Sequence, residues 1–172
     1  MFDVHVVGGG PAGIFAGISS LQEGKTVLLS EEHKAIGEPE ACSGLISKSG
    51  LETLAPYVNY KKAVINSITS AKFVFGKQEF LVSPKKETAL LVSRSLLDSL
   101  AAEKFEQEGG KLQLGARVVR GFQAKSIIGA DGPASSIADF FGFPKIRRFI
   151  NAIQGDFEYP CENAHQATIF VS

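Results

Sequence analysis

Tryptophan is missing from the 172-residue sequence, and cysteine and histidine are scarce, with two and three residues. The two cysteines, Cys42 and Cys161, lie far apart in the chain, so they cannot form a disulfide framework, and a reducing cytoplasm is favoured. Together with His165 they also lack the paired spacing of a zinc knuckle, and we expect no bound metal. We therefore expect neither a disulfide-stapled nor a zinc-dependent fold.

Net charge and long apolar runs are absent as well. Eighteen basic residues balance eighteen acidic ones, so no overall field would attract nucleic acid or anionic lipid. No apolar stretch is long enough to span a bilayer, and the first predicted strand begins directly after Met1, which leaves no room for a signal peptide. We expect a cytoplasmic protein, with peripheral membrane contact as an open alternative.

The most informative motif is a glycine cluster between an apolar strand and a helix, near the N-terminus. In this G-x-G-x-x-G pattern, Gly8 permits the tight turn, Gly10 lets backbone N–H groups approach a pyrophosphate, and Gly13 lets the helix pack on the strand. Pro11 suits a first helical turn, where Ala12 follows it. Phosphates bind well at such a helix N-terminus. The pattern predicts a dinucleotide-binding βαβ unit.

An acidic residue follows the second predicted strand, at the position where such folds bind a ribose. Glu31 offers two carboxylate oxygens, which can accept both ribose hydroxyls, and no adjacent arginine would receive a 2′-phosphate. Glu32 is a second candidate. His33 lies either near an adenine edge or simply in an exposed loop. His5, inside the first strand, is predicted to be a core or sheet-facing residue rather than a catalyst.

The rest of the chain alternates between helical and strand patterns. We predict a helix at 47–54, four strands within 63–92 with a hairpin turn at 76–78, and a helix at 95–108. Short strands at 112–114 and 126–128 are expected to rejoin the parallel sheet, and strands at 149–157 and 166–171 are expected in an antiparallel layer. The buried side of the 95–108 helix is predicted to carry Leu96, Leu97, Leu100 and Phe105.

A second glycine motif, Gly129-Ala130-Asp131-Gly132, follows the predicted strand at 126–128. Together with the first glycine loop, Glu31, Arg94 and Asp98, it resembles the superfamily of FAD-dependent hydroxylases and reductases. The segment from Ile36 to Ser47 contains Cys42-Ser43-Gly44-Leu45 and resembles the C-x-G-[LI] segment of the geranylgeranyl reductase family. Members of that family reduce isoprenoid double bonds.

This resemblance implies a glutathione-reductase-type, Rossmann-like FAD-binding fold, α/β with an antiparallel β insert. The FAD-binding domain would comprise 1–62 and 93–145, and a partial antiparallel substrate domain would comprise 63–92 and 146–172. The implied cofactor is FAD, and the implied reaction is reduction of isoprenoid C=C bonds by hydride transfer from reduced flavin. An isoprenoid or another apolar small molecule would be the substrate.

The resemblance also assigns roles to individual residues. Arg94 would approach the flavin side of the cofactor, Asp131 with Gly132 would support cofactor binding, and Cys42 would lie near the isoalloxazine ring. Asp131 has an equal alternative as a turn residue that makes local backbone bonds. Cys42 has the alternative of a small buried hydrophobe.

Two departures from the family lead to further expectations. The family normally inserts a three-stranded meander before the strand at 126–128, and its chains continue beyond the position of Ser172. We therefore expect a relative shortened at its C-terminus, with a homo-oligomer or a completing partner chain as open alternatives. The functional alternatives are a non-catalytic FAD-binding fragment or remnant, and a flavin-dependent monooxygenase.

Overall fold

A computed structural model describes residues 1–84, 88–144, 146–158 and 160–171 of the chain. The chain forms two compact units. The first comprises Met1–Glu40 and Ser95–Ala152, and the second comprises Ala41–Arg94 and Ile153–Ser172. Residues 41–62, which sequence reasoning assigns to the FAD-binding domain, lie in the second unit.

The described helices and strands follow one another in a mixed order. In chain order they are β1 (Phe2–Val7), α1 (Pro11–Gln22), β2 (Val27–Ser30), β3 (Leu45–Ser47), α2 (Lys48–Glu52), β4 (Val64–Ile68), β5 (Ser70–Phe75), β6 (Gln78–Val82), β7 (Ala89–Val92), α3 (Arg94–Gln107), β8 (Lys111–Gln113), β9 (Ala124–Gly129), α4 (Ser136–Phe140) and β10 (Gln166–Val171).

A parallel sheet of order β8-β2-β1-β9 forms the centre of the first unit. Its middle strands are apolar and buried, as a sheet covered on both faces requires. Ile14 and Ile18 of α1 are fully buried. A Cβ at Gly17 would lie 2.7 Å from the Phe105 ring, so this glycine lets α1 and α3 approach closely. The predicted parallel βαβ unit is confirmed.

The predicted orientation of α3 is wrong at one position. Leu97, Ala101 and Phe105 are buried at helical spacing, whereas Leu96 is 44% exposed. Residues four apart share a helix face, so the buried stripe passes through position 97 and leaves Leu96 about one hundred degrees away from it.

Two small sheets make up the second unit. One is antiparallel, with order β3-β7-β4, and the other has order β10-β5-β6. The strands predicted within 63–92 are confirmed, as is the turn between β5 and β6, where Gly76 has φ +58°. The short helix predicted at 47–54 is confirmed as α2, which begins after the Ser47 cap.

Two predictions for the C-terminal region are wrong in part or whole. Residues 166–171 do form a strand, but it pairs in parallel with β5, so this sheet is mixed rather than antiparallel. Residues 149–157 form no strand at all, and Phe149, Ile150, Ile153 and Phe157 are exposed. An apolar run becomes a strand only where another strand pairs with it, and none does so here within the described residues.

The connection between β8 and β9 is short. Residues 114–123 contain no strand, so the family's meander is absent from this stretch. Within the described residues, no helix is both long and apolar enough to cross a membrane.

Candidate dinucleotide-binding site

Two glycines of the N-terminal loop are required by close backbone contacts. Gly8 has φ +108°, and a Cβ there would lie 2.2 Å from the Ala130 carbonyl oxygen. A Cβ at Gly13 would lie 2.0 Å from the Gly8 carbonyl oxygen. Both positions therefore exclude any side chain, because ordinary contacts between carbon and oxygen are more than one ångström longer. The two glycine motifs of the sequence meet at Ala130.

Gly10 differs, because nothing in the protein requires it to be glycine. It is the N-cap of α1 with φ −74°, and a Cβ there would meet no atom within 4 Å. The first turn that follows, with Pro11 and Ala12, carries no acidic residue. N–H groups at a helix start have no intrahelical acceptor and favour an anion. The space above Gly10 therefore fits a pyrophosphate.

The Glu31 carboxylate lies beside this loop and is well ordered by hydrogen bonds. The backbone N–H of Gly9 donates to Oε2 at 2.6 Å, and the backbone N–H of His33 donates to Oε1 at 2.9 Å. The side chain is only 12% exposed. Burial raises the pKa of Glu31, but these hydrogen bonds outweigh it and hold the pKa below its usual value. The group is a carboxylate at neutral pH.

Gly9 is a residue that sequence reasoning did not single out. Besides donating to Glu31, it leaves no room for a side chain, since a Cβ would lie 2.6 Å from Ile36 Cδ1 and 3.0 Å from Glu31 Cβ. Its position is a variable one in the motif, so the motif gives no signal for it. A contact with the residue after β2 arises only from the tertiary fold.

The residues after Glu31 differ in their contacts. Glu32 is exposed, and its Oε2 lies 3.7 Å from Nε of Arg117 across the surface. His33 is half exposed, and its Nδ1 lies 2.6 Å from Glu31 Oε1. His33 is an exposed loop residue, and its side-chain bond to the candidate ribose-binding carboxylate was not predicted from the sequence.

Asp131 makes local bonds that organise the turn after β9. Its Oδ1 accepts from Ser135 Oγ at 2.5 Å and its Oδ2 from the Ile137 N–H at 3.1 Å, at the start of α4. Burial raises the pKa of Asp131, but these bonds hold it below its usual value. Gly132 follows with φ +82°, and a Cβ there would meet no atom within 4 Å. These local contacts are the ones expected if Asp131 acts as a turn residue.

Arg94 and Cys42, the remaining predicted site residues, lie in the second compact unit. Arg94 begins α3, and Cys42 is a free, half-buried thiol. In the same segment Gly44 has φ +72°, and a Cβ there would lie 2.0 Å from the Val92 carbonyl oxygen. The backbone conformation and packing therefore require glycine at position 44 of the Cys42-Ser43-Gly44-Leu45 motif.

A buried polar chain links the central strands of the first unit. The Gln123 N–H donates to His5 Nδ1 at 3.3 Å, so the other ring nitrogen, Nε2, donates to Ser30 Oγ at 2.9 Å. His5 is fully buried, as predicted for a core residue, and burial lowers its pKa. Among the described residues, no cluster of His, Cys, Asp or Glu could hold a metal ion.

Comparison with known proteins agrees with this geometry. Residues 3–124 match the model of the family described as FAD dependent oxidoreductase. The chain belongs to this family. The cofactor of this chain is FAD. The residues of the loop are compatible with FAD, because Gly10 leaves open space at the start of a helix and the Glu31 carboxylate lies beside the loop.

Individual relatives narrow the relationship to geranylgeranyl reductases. The digeranylgeranylglycerophospholipid reductase of Methanococcus vannielii is 26% identical over an alignment of 183 positions, and the alignment covers 94% of this chain and 46% of that enzyme. A geranylgeranyl bacteriochlorophyll reductase-like protein from Thermoplasma acidophilum has the same fold, with a TM-score of 0.76 and 19% identity over 99% of this chain and 50% of that one.

The fold is shared more widely. The oxygenase that acts on 2-methyl-3-hydroxypyridine-5-carboxylic acid superposes with a TM-score of 0.67 at 20% identity, over 83% of this chain and 43% of that one. The predicted Rossmann-like FAD-binding fold is confirmed. The chain spans about half the length, or less, of the reductases and oxygenase it resembles.

Proposed function

We propose that this chain takes part in the reduction of C=C bonds in isoprenoid lipids, with FAD bound at the glycine loop of its first unit. The chain is an FAD-dependent oxidoreductase related to geranylgeranyl reductases. The open space at Gly10 is the observation that supports FAD binding at this loop. A Cβ built at Gly10 would meet no protein atom within 4 Å, and the Glu31 carboxylate lies next to this part of the loop.

Each residue of the site has a defined task in this proposal. Backbone N–H groups at the start of α1 bind the pyrophosphate, and Glu31 accepts hydroxyls of the adenosine ribose. Asp131 organises the turn between β9 and α4 through its bonds to Ser135 and Ile137. Gly132 and Glu32 are proposed to lie at the cofactor, because they follow Asp131 and Glu31 directly in the chain. The chemistry supplied by bound FAD is two-electron reduction of an alkene.

An apolar sheet face in the second unit supports an apolar substrate. Strand partners point to the same face of a sheet, and the register of β10-β5-β6 places only small or apolar side chains in the first two strands of one face. That face consists of Ala167, Ile169, Val171, Ala71, Phe73, Phe75, Val82, Phe80 and Gln78.

The opposite face of this sheet is mixed in character. Lys72 forms an ion pair with Glu79 there at 2.8 Å. The polar Ser70, Gln166 and Thr168 share that side with the apolar Val74, Leu81 and Phe170. On the apolar face, Phe80 is 56% exposed and Phe75 is 44% exposed, with their rings in edge contact. An apolar surface of this kind gives a prenyl chain a wall that excludes water.

Arg94 and Cys42 are proposed to act at the flavin end of the cofactor. A guanidinium there can bind phosphate or ribityl oxygens and offset negative charge on the reduced ring. A thiol beside the ring can affect proton delivery to the alkene. Both assignments come from the family resemblance of the segments in which these residues lie.

The test is a sequence of two measurements on the purified chain. Tight binding of FAD, followed by flavin absorbance and mass spectrometry of the bound ligand, supports the cofactor assignment, whereas tighter binding of NADH than of FAD contradicts it. The bound FAD is then reduced anaerobically and mixed with a digeranylgeranyl glycerophospholipid. Flavin reoxidation with formation of saturated lipid supports the reductase function, and stable reduced flavin supports the non-catalytic FAD-binding alternative.

The two cysteines provide a matched pair of variants for the role of Cys42. Cys42→Ser is expected to slow lipid-dependent reoxidation, while Cys161→Ser, at an exposed thiol in the same unit, is expected to leave it unchanged. Equal rates for both variants and the original chain would show that Cys42 has no part in the reaction. If reduced flavin is instead reoxidised by oxygen and a hydroxylated aromatic product forms, the monooxygenase alternative is favoured.

A further inference from the structure

His33 makes a side-chain contact with Glu31 that the dinucleotide-binding motif does not require. Its Nδ1 lies 2.6 Å from Glu31 Oε1, and its backbone N–H donates to the same oxygen. The Gly9 N–H donates to the other oxygen. Three donors from this chain therefore converge on a single carboxylate.

The number of acceptor sites on a carboxylate makes this arrangement consequential. Its two oxygens offer roughly four lone-pair directions, and Gly9 and His33 use three of them. A ribose diol that donates both hydroxyls needs two. One present donor must therefore leave when Glu31 binds both hydroxyls.

Of the three donors, the imidazole can leave Glu31 with the smallest structural change. The other two donors are backbone N–H groups, one in the glycine loop and one directly after β2, and neither can move without its chain segment. The backbone of His33 is also held by the Gly115 N–H, which donates to its carbonyl oxygen at 2.8 Å. The imidazole itself is 49% exposed and can rotate into solvent.

We propose that the His33 side chain competes with the adenosine ribose for Glu31 and so sets the affinity of the site for FAD. This inference rests on the proposed binding of FAD at the glycine loop. The His33 side chain weakens the binding of FAD. When that side chain is removed, Glu31 is held only by the backbone N–H groups of residues 9 and 33. Those two donors are present in any variant of position 33 except proline.

The experiment measures FAD affinity by fluorescence titration for the original chain, His33→Ala and His33→Asn. The alanine variant is expected to bind FAD about three- to fivefold more tightly. The asparagine variant keeps a short side-chain donor, so it is expected to bind FAD like the original chain. Lys34→Ala, at the exposed neighbouring position, controls for a general change of local charge.

ADP serves as a second probe, because it carries the adenosine ribose and the pyrophosphate without the flavin. Weaker or unchanged binding of FAD and ADP by His33→Ala would overturn the inference. If the original chain binds ADP but not FAD, the proposed cofactor is wrong, and the ADP titrations alone decide the role of His33. If it binds neither, both proposals are wrong.

Discussion

Replacement of Gly10 by valine separates ligand binding from folding, because a side chain here would enter open space, whereas at Gly8 and Gly13 it would meet backbone atoms. A Cβ at Gly10 meets nothing within 4 Å, and its φ of −74° is accessible to any residue. We therefore expect the free energy of unfolding of Gly10→Val to change by less than about 1 kcal/mol.

The effect on FAD binding is expected to be large. The valine side chain would fill the space in which the pyrophosphate approaches the N–H groups of α1, and two charge-assisted hydrogen bonds would be lost. At roughly 1.5 kcal/mol each, their loss weakens binding by about a hundredfold or more. Fluorescence titration of FAD measures the affinity, and urea denaturation measures the stability.

Gly13→Ala is the matched variant, because it tests packing at the same loop. Its Cβ would lie 2.0 Å from the Gly8 carbonyl oxygen, which belongs to the backbone and cannot rotate away. Overpacking of this kind costs up to about 3 kcal/mol, and roughly 1 kcal/mol returns because alanine favours the helix more than glycine. We expect a net loss of about 2 kcal/mol in stability. Unchanged FAD affinity in a folded Gly10→Val protein would refute the whole argument.

Further predictions concern the acid, the buried histidine and the second unit. Glu31→Gln is expected to weaken FAD binding by about tenfold, since a neutral amide accepts weaker hydrogen bonds; an unchanged dissociation constant would remove Glu31 from the site. Stability is expected to fall on acidification, because burial depresses the pKa of His5 below 6.5, so the unfolded chain binds its proton first as pH falls below about 6.5. The lowered pKa values of Glu31 and Asp131 also reduce stability on acidification, below about pH 4.5. Urea denaturation between pH 8 and 4 measures the free energy of unfolding against pH, and greater stability in acid would contradict this prediction. Gly44→Ala is expected to destabilise the second unit by about 2 kcal/mol or more, because its Cβ would meet the Val92 carbonyl at φ +72°; hydrogen exchange at β7 measures this, and full protection there would contradict the expectation.

The local elements and the cofactor loop were predictable from the sequence because their causes are local. The spacing of Gly8, Gly10 and Gly13 follows an apolar strand and precedes an apolar helical stripe, and each of these signals depends on residues close in the chain. The strands within 63–92 and the turn at Gly76 were predictable for the same reason. Family resemblance added the cofactor and the relationship to geranylgeranyl reductases.

Pairing of distant segments was decided only by the tertiary structure. Whether residues 149–157 form a strand depends on a partner strand, and their apolar pattern does not encode one. The direction in which β10 pairs with β5 likewise depends on where the chain returns, about ninety residues later in the sequence. Contacts of high sequence separation carry no local signal.

The fine structure of the site was decided in the same way. The sequence determined that an acid follows β2, but the hydrogen bonds of Glu31 to Gly9 and His33 depend on how β1 and β2 lie side by side. The sequence also showed two glycine motifs far apart, whereas their contact at Ala130 exists because β9 pairs with β1. Parallel pairing brings the carboxyl ends of β1, β2 and β9 to one edge of the sheet, and that edge is where the candidate site forms.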